Sequence, residues 1–218
     1  MAVQTREIIQ EKLAFLYGAE VGGRCAIRLL DTLEQFKARY HPASSGSGEL
    51  FSERDVVLIT YGDLLRSPDV TPLATLTQFL TTYLQDTINT VHVLPFFPYS
   101  SDDGFSIVDY RAVNPDLGSW EDIHRLEAHF RLMVDAVLNH ISTKSDWFQG
   151  FLRGEHRYQD YFIVEDPAID LSSIVRPRPW PLLTPFQTAS GEQYVWTTFS
   201  ADQVDLNFAN PDVLLEII

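Results

Sequence analysis

The chain has 218 residues, 45% apolar and 12% aromatic, which suits one sizeable core and excludes a disordered protein. Its 30 acidic side chains against 16 basic ones give a net charge of -14, which repels phosphate backbones and anionic membranes and argues against nucleic acid or membrane partners. Cys25 is the only cysteine, so an intrachain disulfide and a thiolate metal cluster are excluded.

The stretch from Met1 to Leu16 lacks the basic flank and apolar run of a signal peptide, and no segment reaches the length of a membrane span, so a cytoplasmic protein is expected. Residues 6 to 17 place Ile9, Leu13 and Leu16 on one helical face that ends near Gly18. Gly22-Gly23 is expected to break the chain. A second helix comes next, with Leu29, Leu33, Phe36 and Tyr40 on one stripe, and the pair reads as a helical hairpin that packs on the main domain. His41 to Gly48 (HPASSGSG) reads as a linker.

Asp55 to Tyr61 (DVVLITY) is a continuous apolar run, the pattern of a strand covered on both faces. Thr71-Pro72 opens a helix with Leu76, Phe79, Leu80 and Tyr83 on its inner face. Val91 to Phe97 is the next strand, Ser119 caps a helix that runs to His129, and Phe130 to Leu138 is the third strand. Strand, helix, strand, helix, strand implies an α/β fold with parallel pairing. Two long connections leave the strand ends: Pro98 to Gly118, and Ile141 to about Asn207. The second carries Trp147, Phe148, Tyr161, Phe162, Arg176, Arg178 and Trp180, and is expected to fold as a lobe over the strand ends. Trp180 and Trp196 read as packing residues, with a sugar platform as the alternative. Asn210-Pro211 begins a last helix with Val213, Leu214 and Ile217 inside.

Chemistry in parallel α/β folds sits at the carboxyl ends of strands. Val134 to His140 ends in the polar pair Asn139-His140, which by itself also fits a satisfied, half-buried histidine at a strand end. In the preceding loop Asp102, Gly104 and Phe105 combine a carboxylate, a flexible turn and an aromatic plate, which suits a sugar but equally an Asx-turn with a packed Phe. Asp102 and His140 fall just beyond neighbouring strands and are expected to point into one pocket. G-x-S-x-G, a glycine-rich phosphate loop and H-E-x-x-H are all missing, which disfavours a serine hydrolase, a P-loop enzyme and a zincin. A metal on Asp135 and His140 is disfavoured because Asp135 is placed inside the strand, anchoring backbone.

At these residues the sequence resembles glycoside hydrolase family thirteen, the α-amylase family, and within it the sucrose phosphorylase branch. Asp135-Ala136-Val137-Leu138-Asn139-His140 is similar to the family's D-x-V-x-N-H strand, and Gln203-Val204-Asp205-Leu206-Asn207 to its Q-P-D-L-N segment. Asp102-Asp103-Gly104-Phe105 and Arg176-Pro177-Arg178 resemble motifs of the phosphorylase branch. The run from Arg178 to Phe186, with the helical extension, looks more like the glucosylglycerate phosphorylases, although Pro179-Trp180 stands where members commonly have Ala, which leaves the acceptor open.

The resemblance implies a (β/α)8 TIM barrel of which the first three βα units and the lobe inserted after strand three are present. Residues 1-50 are then a helical extension and linker, 51-140 the first part of the barrel, 141-207 the lobe and 208-218 the start of the third barrel helix. It implies that His140 and Asp102 hold the hydroxyls of a glucosyl unit, with Phe105 as platform, Arg178 near the incoming phosphate and Gln203 near the acceptor. The guanidinium fork of Arg178 suits phosphate, and Pro177 and Pro179 stiffen its loop. The implied reaction is retaining phosphorolysis of an α-glucoside, with inorganic phosphate as a substrate, no cofactor and no metal.

The resemblance places the nucleophile Asp in an R-x-D-A strand and the acid Glu after the next strand. No such motif occurs in the 218 residues, so both are expected beyond residue 218. The chain is expected to be an amino-terminal fragment, inactive and poorly soluble alone, since three strands cannot close a barrel. The alternatives are a sucrose or sucrose 6-phosphate phosphorylase, and a non-catalytic sugar-binding truncated barrel.

Overall fold

A computed structural model of the chain describes residues 3–40, 52–175 and 179–218. The expected linker, His41 to Gly48, and Arg176 to Arg178 lie outside the described residues. The chain divides into two compact units, Met1–Gly48 with Leu206–Ile218, and Glu49–Asp205.

In the first unit, α1 (Val3–Tyr17) and α2 (Ala19–Tyr40) form the hairpin, turned at Gly18 with its φ of +79°. Gly22-Gly23 does not break the chain: both glycines lie inside α2. A Cβ on Gly22 would stand 2.3 Å from the carbonyl oxygen of Leu13, so this glycine lets two backbones touch. The buried stripe of α2 is correspondingly Gly22, Cys25, Ala26 and Leu30, not Phe36 and Tyr40, which are exposed. Leu13 meets Cys25 and Ala26, with Leu214 and Leu215 packed against them. Those two come from α6 (Pro211–Ile217), capped by Asn210 and started by a proline. Tyr17 donates to the carbonyl of Phe208 at 2.9 Å, and Arg28 pairs with Asp212 at 2.5 Å.

The second unit begins with three parallel strands, β1 (Val57–Thr60), β2 (Thr90–Val93) and β3 (Arg131–Val134), in that spatial order, with Ile59, His92 and Met133 in register. They alternate with α3 (Pro72–Tyr83), capped by Thr71, and α4 (Trp120–Glu127), held by a reciprocal Ser119/Asp122 capping box. The helices cover one sheet face only: Val91 and Val93 are fully buried against Leu73, Leu76, Leu80, Ile123 and Leu126. The alternate residues Val57, Ile59 and Met133 are exposed on the other face, so within these 218 residues the first strand is covered on one side and not on both as expected. Phe79 and Tyr83 also turn outward, since Leu73, Leu76 and Leu80 already fill the inner stripe of α3. The third strand stops at Val134 rather than Leu138, so Asp135 lies beyond it. His140 begins a different element, β4 (His140–Ser142).

The inserted lobe contains α5 (Asp146–Leu152), capped by Ser145, and the antiparallel strands β5 (Val164–Glu165), β6 (Leu183–Thr188) and β7 (Gly191–Trp196), ordered β5-β7-β6. A last strand, β8 (Gln203–Asp205), pairs antiparallel with β4, setting His140 opposite Asp205 and Ser142 opposite Gln203. Phe148 is fully buried at the lobe's centre, in ring contact with Phe151, Phe162 and Phe186. Trp196 is half-buried and its indole N–H donates to Thr198 Oγ1 at 3.0 Å, whereas Trp180 is exposed. Among the described residues no helix is long and apolar enough to cross a membrane.

Candidate functional site

A cavity of about 580 Å³ opens at the carboxyl ends of the three parallel strands, within the range of small-molecule sites. The segment leaving each strand lines part of it. Tyr61 comes just after β1, Asp102, Asp103 and Phe105 from the loop after β2, and Asp135 to His140 from the run after β3. Phe199 and Gln203 close the lobe side.

Asp102, His140 and Gln203 meet directly. The Gln203 amide donates to Asp102 Oδ2 at 3.0 Å, and its carbonyl oxygen accepts the Ser200 hydroxyl at 2.8 Å. His140 Nε2 stands 3.0 Å from the carbonyl oxygen of Phe105, which can only accept, so Nε2 carries the proton. The 3.2 Å approach of the Gln203 amide nitrogen to Nε2 is then a packing contact. Gln203 is 1% exposed and His140 6%, so both are held by their surroundings rather than by solvent. The Phe199 ring lies 4.9 Å from the imidazole, centroid to centroid. Behind them, the Tyr110 hydroxyl lies 2.9 Å from the carbonyl of Val137 and 2.8 Å from that of His140. It fixes the irregular run that forms the cavity wall, and burial pushes its phenol pKa up.

The Asp102 loop is strained and tightly packed. Asp102 and Asp103 have φ of 56° and 50°, a left-handed conformation that costs roughly 1–3 kcal/mol each for residues with a Cβ. Gly104 has φ of 104°, and a side chain there would meet the carbonyl of Pro95 at 2.8 Å. Asp202 holds the loop. Ser100 and Ser101 donate to its Oδ2 at 2.5 Å each, Ser106 to the same oxygen at 2.9 Å, and Thr143 to Oδ1 at 2.5 Å. Burial pushes the Asp202 carboxyl up, but these hydroxyls together outweigh it and hold the pKa below the usual carboxylate value. Three residues on, burial dominates: Asp205 is raised to about 6, although it accepts the Thr198 N–H at 2.6 Å.

Of the residues singled out in the sequence, Asp102, Phe105, His140 and Gln203 come together at this cavity, and Arg178 lies outside the described residues. Asp135 is not a backbone anchor inside a strand: it lies beyond β3 and its Oδ2 meets His92 Nε2 at 2.9 Å. Among the described residues no group of three or more His, Cys, Asp or Glu could hold a metal ion. Sequence reasoning missed Asp202, Tyr110 and His92. The serines flanking Asp102 were a visible signal for the first, while nothing local marked the other two.

Parallel strands alternating with helices, with a cavity at their carboxyl ends beneath an inserted lobe, define part of a (β/α)8 barrel. Residues 73–218 match the family described as alpha amylase, catalytic domain, and the chain belongs to that family. It is 52% identical to a glucosylglycerate phosphorylase of Spirochaeta thermophila, over 96% of this chain and 36% of the relative. It is 51% identical to one of Allomeiothermus silvanus, over 99% and 38%. Among solved structures, a sucrose 6F-phosphate phosphorylase from Thermoanaerobacter thermosaccharolyticum superposes with a TM-score of 0.69 at 32% identity, covering 79% of this chain and 38% of that one. The chain thus spans 36 to 38% of the length of these two curated relatives.

Proposed function

We propose that this chain carries the glucosyl-binding front of a retaining α-glucoside phosphorylase, which transfers glucose to inorganic phosphate, releases α-glucose 1-phosphate, and takes glucosylglycerate as its donor. The observation that carries this reading is the meeting of Asp102, Gln203, His140 and Phe105 at one cavity, in a chain about half identical to two glucosylglycerate phosphorylases. A carboxylate accepts two sugar hydroxyls, an imidazole adds a further polar contact to the hydroxyl edge, and an aromatic ring covers the apolar face of a pyranose. The cavity wall holds Asp102, Asp103 and Asp135, which repel an anion, so phosphate needs a local cation. Arg178 is proposed for that part.

Retention needs a carboxylate nucleophile and a second carboxyl that protonates the leaving oxygen, about 5–5.5 Å apart. We place both beyond residue 218. The reading is tested by monitoring glucose 1-phosphate release from glucosylglycerate, sucrose and sucrose 6-phosphate, each with phosphate, for the 218-residue chain and for a form extended past it. Release by the extended form alone, fastest from glucosylglycerate, is expected. Turnover by the 218 residues would sink the placement of the carboxylates, and no release by the extended form from any donor would sink the phosphorylase reading. Likeness to the solved sucrose 6F-phosphate phosphorylase, with a TM-score of 0.69, favours sucrose 6-phosphate as the second donor candidate.

A further inference from the structure

We propose that Asp202 is a positioning residue, whose carboxylate clamps the serine-rich loop around Asp102 to the β4–β8 ribbon and so sets the sugar-binding carboxylate in place. The inference rests on the sugar-binding function proposed for Asp102.

Four hydroxyls converge on this one side chain, from two separate segments. Ser100, Ser101 and Ser106 belong to the loop after β2, and Thr143 comes directly after β4. Hydrogen bonds to an ionised acceptor are stronger than neutral ones, and all four hydroxyls share this one carboxylate. The network extends a step further. Ser100, having given its proton to Asp202, accepts from Ser142 at 2.6 Å, and the Ser142 oxygen accepts the Lys144 N–H at 2.9 Å. The backbone joins in as well: Thr143 N–H donates to the Asp202 carbonyl at 3.0 Å. Ser106 and Ser142 are fully buried, so these two hydroxyls have no water to exchange their bonds for, and Ser100, Ser101 and Thr143 are partly buried.

The clamp brackets Asp102. Ser101 precedes it, Ser106 closes its loop, and Gln203, next to Asp202, bonds its carboxylate directly. Asp102 and Asp103 hold left-handed conformations that residues with a Cβ leave unless their surroundings impose them. Without the Asp202 carboxylate, three hydroxyls of the loop lose their common acceptor, and the strain is free to relax toward ordinary backbone angles. Asp102 would then move relative to His140. A displacement on the order of 1 Å at a binding group costs up to about a hundredfold in turnover efficiency.

The test replaces Asp202 in the protein expressed from its full reading frame, as Asp202→Ala and Asp202→Asn. The KM values for glucoside and phosphate are read alongside amide hydrogen exchange over residues 100–106. Asp202→Ala is expected to raise the glucoside KM about tenfold or more, leave the phosphate KM unchanged and speed exchange in the loop. Asp202→Asn recovers part of the loss, because its amide oxygen still accepts two hydroxyls. An unchanged glucoside KM, or equal rises in both KM values, overturns the proposal. If the unmodified protein releases no glucose 1-phosphate from any donor, the function reading fails separately. D-glucose binding and loop exchange then decide the clamp: weaker binding with faster exchange supports it, and unchanged values overturn it. If Asp202→Ala does not fold, Ser101→Ala and Thr143→Val each remove one donor. A rise of about two- to threefold in glucoside KM supports the clamp, and none overturns it.

Discussion

The inserted lobe and the parallel sheet face the same problem, that of hiding apolar side chains, and meet it differently. The lobe closes on itself: Phe148, Phe151 and Phe162 are buried by one another and by Phe186, and its last strand keeps even Asp205 largely from water. The sheet hides one face under α3 and α4 and leaves Val57, Ile59 and Met133 uncovered on the other, where His92 and Asp135 also pair. Burial in the lobe is therefore a local property of about sixty residues of chain. For the sheet it depends on which side a residue points.

The largest effect is expected at the lobe's centre. Phe148→Ala removes a ring that is fully buried among three others and should cost about 3–5 kcal/mol, read by urea unfolding with Trp147 and Trp196 fluorescence as reporters. A loss below about 1 kcal/mol would show that the lobe is not closed on itself, and the contrast with the sheet would fall.

Asp205 sharpens the same contrast through pH. Its carboxyl is raised from 3.8 to about 6, so the fold favours the neutral form. That contribution is fully present below pH 3.8 and is lost as pH rises through about 6. Asp205→Asn keeps an oxygen for the Thr198 N–H and carries no charge, so it should match the parent at about pH 3 and exceed it at about pH 8 by up to roughly 3 kcal/mol. Parallel stability curves for the two proteins across that range would mean that water reaches the carboxylate.

On the covered side of the sheet the expected effect is smaller. Ser119→Ala removes the hydroxyl half of the α4 capping box, including its 3.2 Å bond to the Asp122 carboxylate, while the backbone N–H of residue 119 still donates to Asp122, and should cost about 1 kcal/mol in the same urea titration.

That cap was also among the plainest signals in the sequence, because a cap is written within four residues. Thr71-Pro72 and Asn210-Pro211 were legible for the same reason, and with them the order of strands and helices. Features that depend on distant partners were not. The Gly22-Gly23 pair reads locally as a break and is in fact the contact point with the Leu13 backbone. DVVLITY reads as doubly covered because its apolar run is continuous, yet only one face meets helices. At the site, Asp102, Phe105, His140 and Gln203 stand at motif positions and line one cavity, whereas Asp202 acquires its hydroxyls from segments far away in the chain. The hairpin of β6 and β7 was hidden in a proline-rich stretch whose pairing only the fold reveals.

The smallest expected effect is the one that tests the uncovered face. Ile59 is 62% exposed on that face, on the edge strand β1. Ile59→Ser should therefore change the unfolding free energy by less than about 0.5 kcal/mol, the usual range for exposed positions. Measured at several protein concentrations, this substitution separates two physical situations. An exposed isoleucine gives the same small value at every concentration. A value above about 1.5 kcal/mol that grows with concentration would mean that the sheet face is buried against another copy, because only an association equilibrium makes stability depend on protein concentration. The sheet would then hide both faces as thoroughly as the lobe hides its core, and the difference between the two regions would lie in which chain supplies the cover.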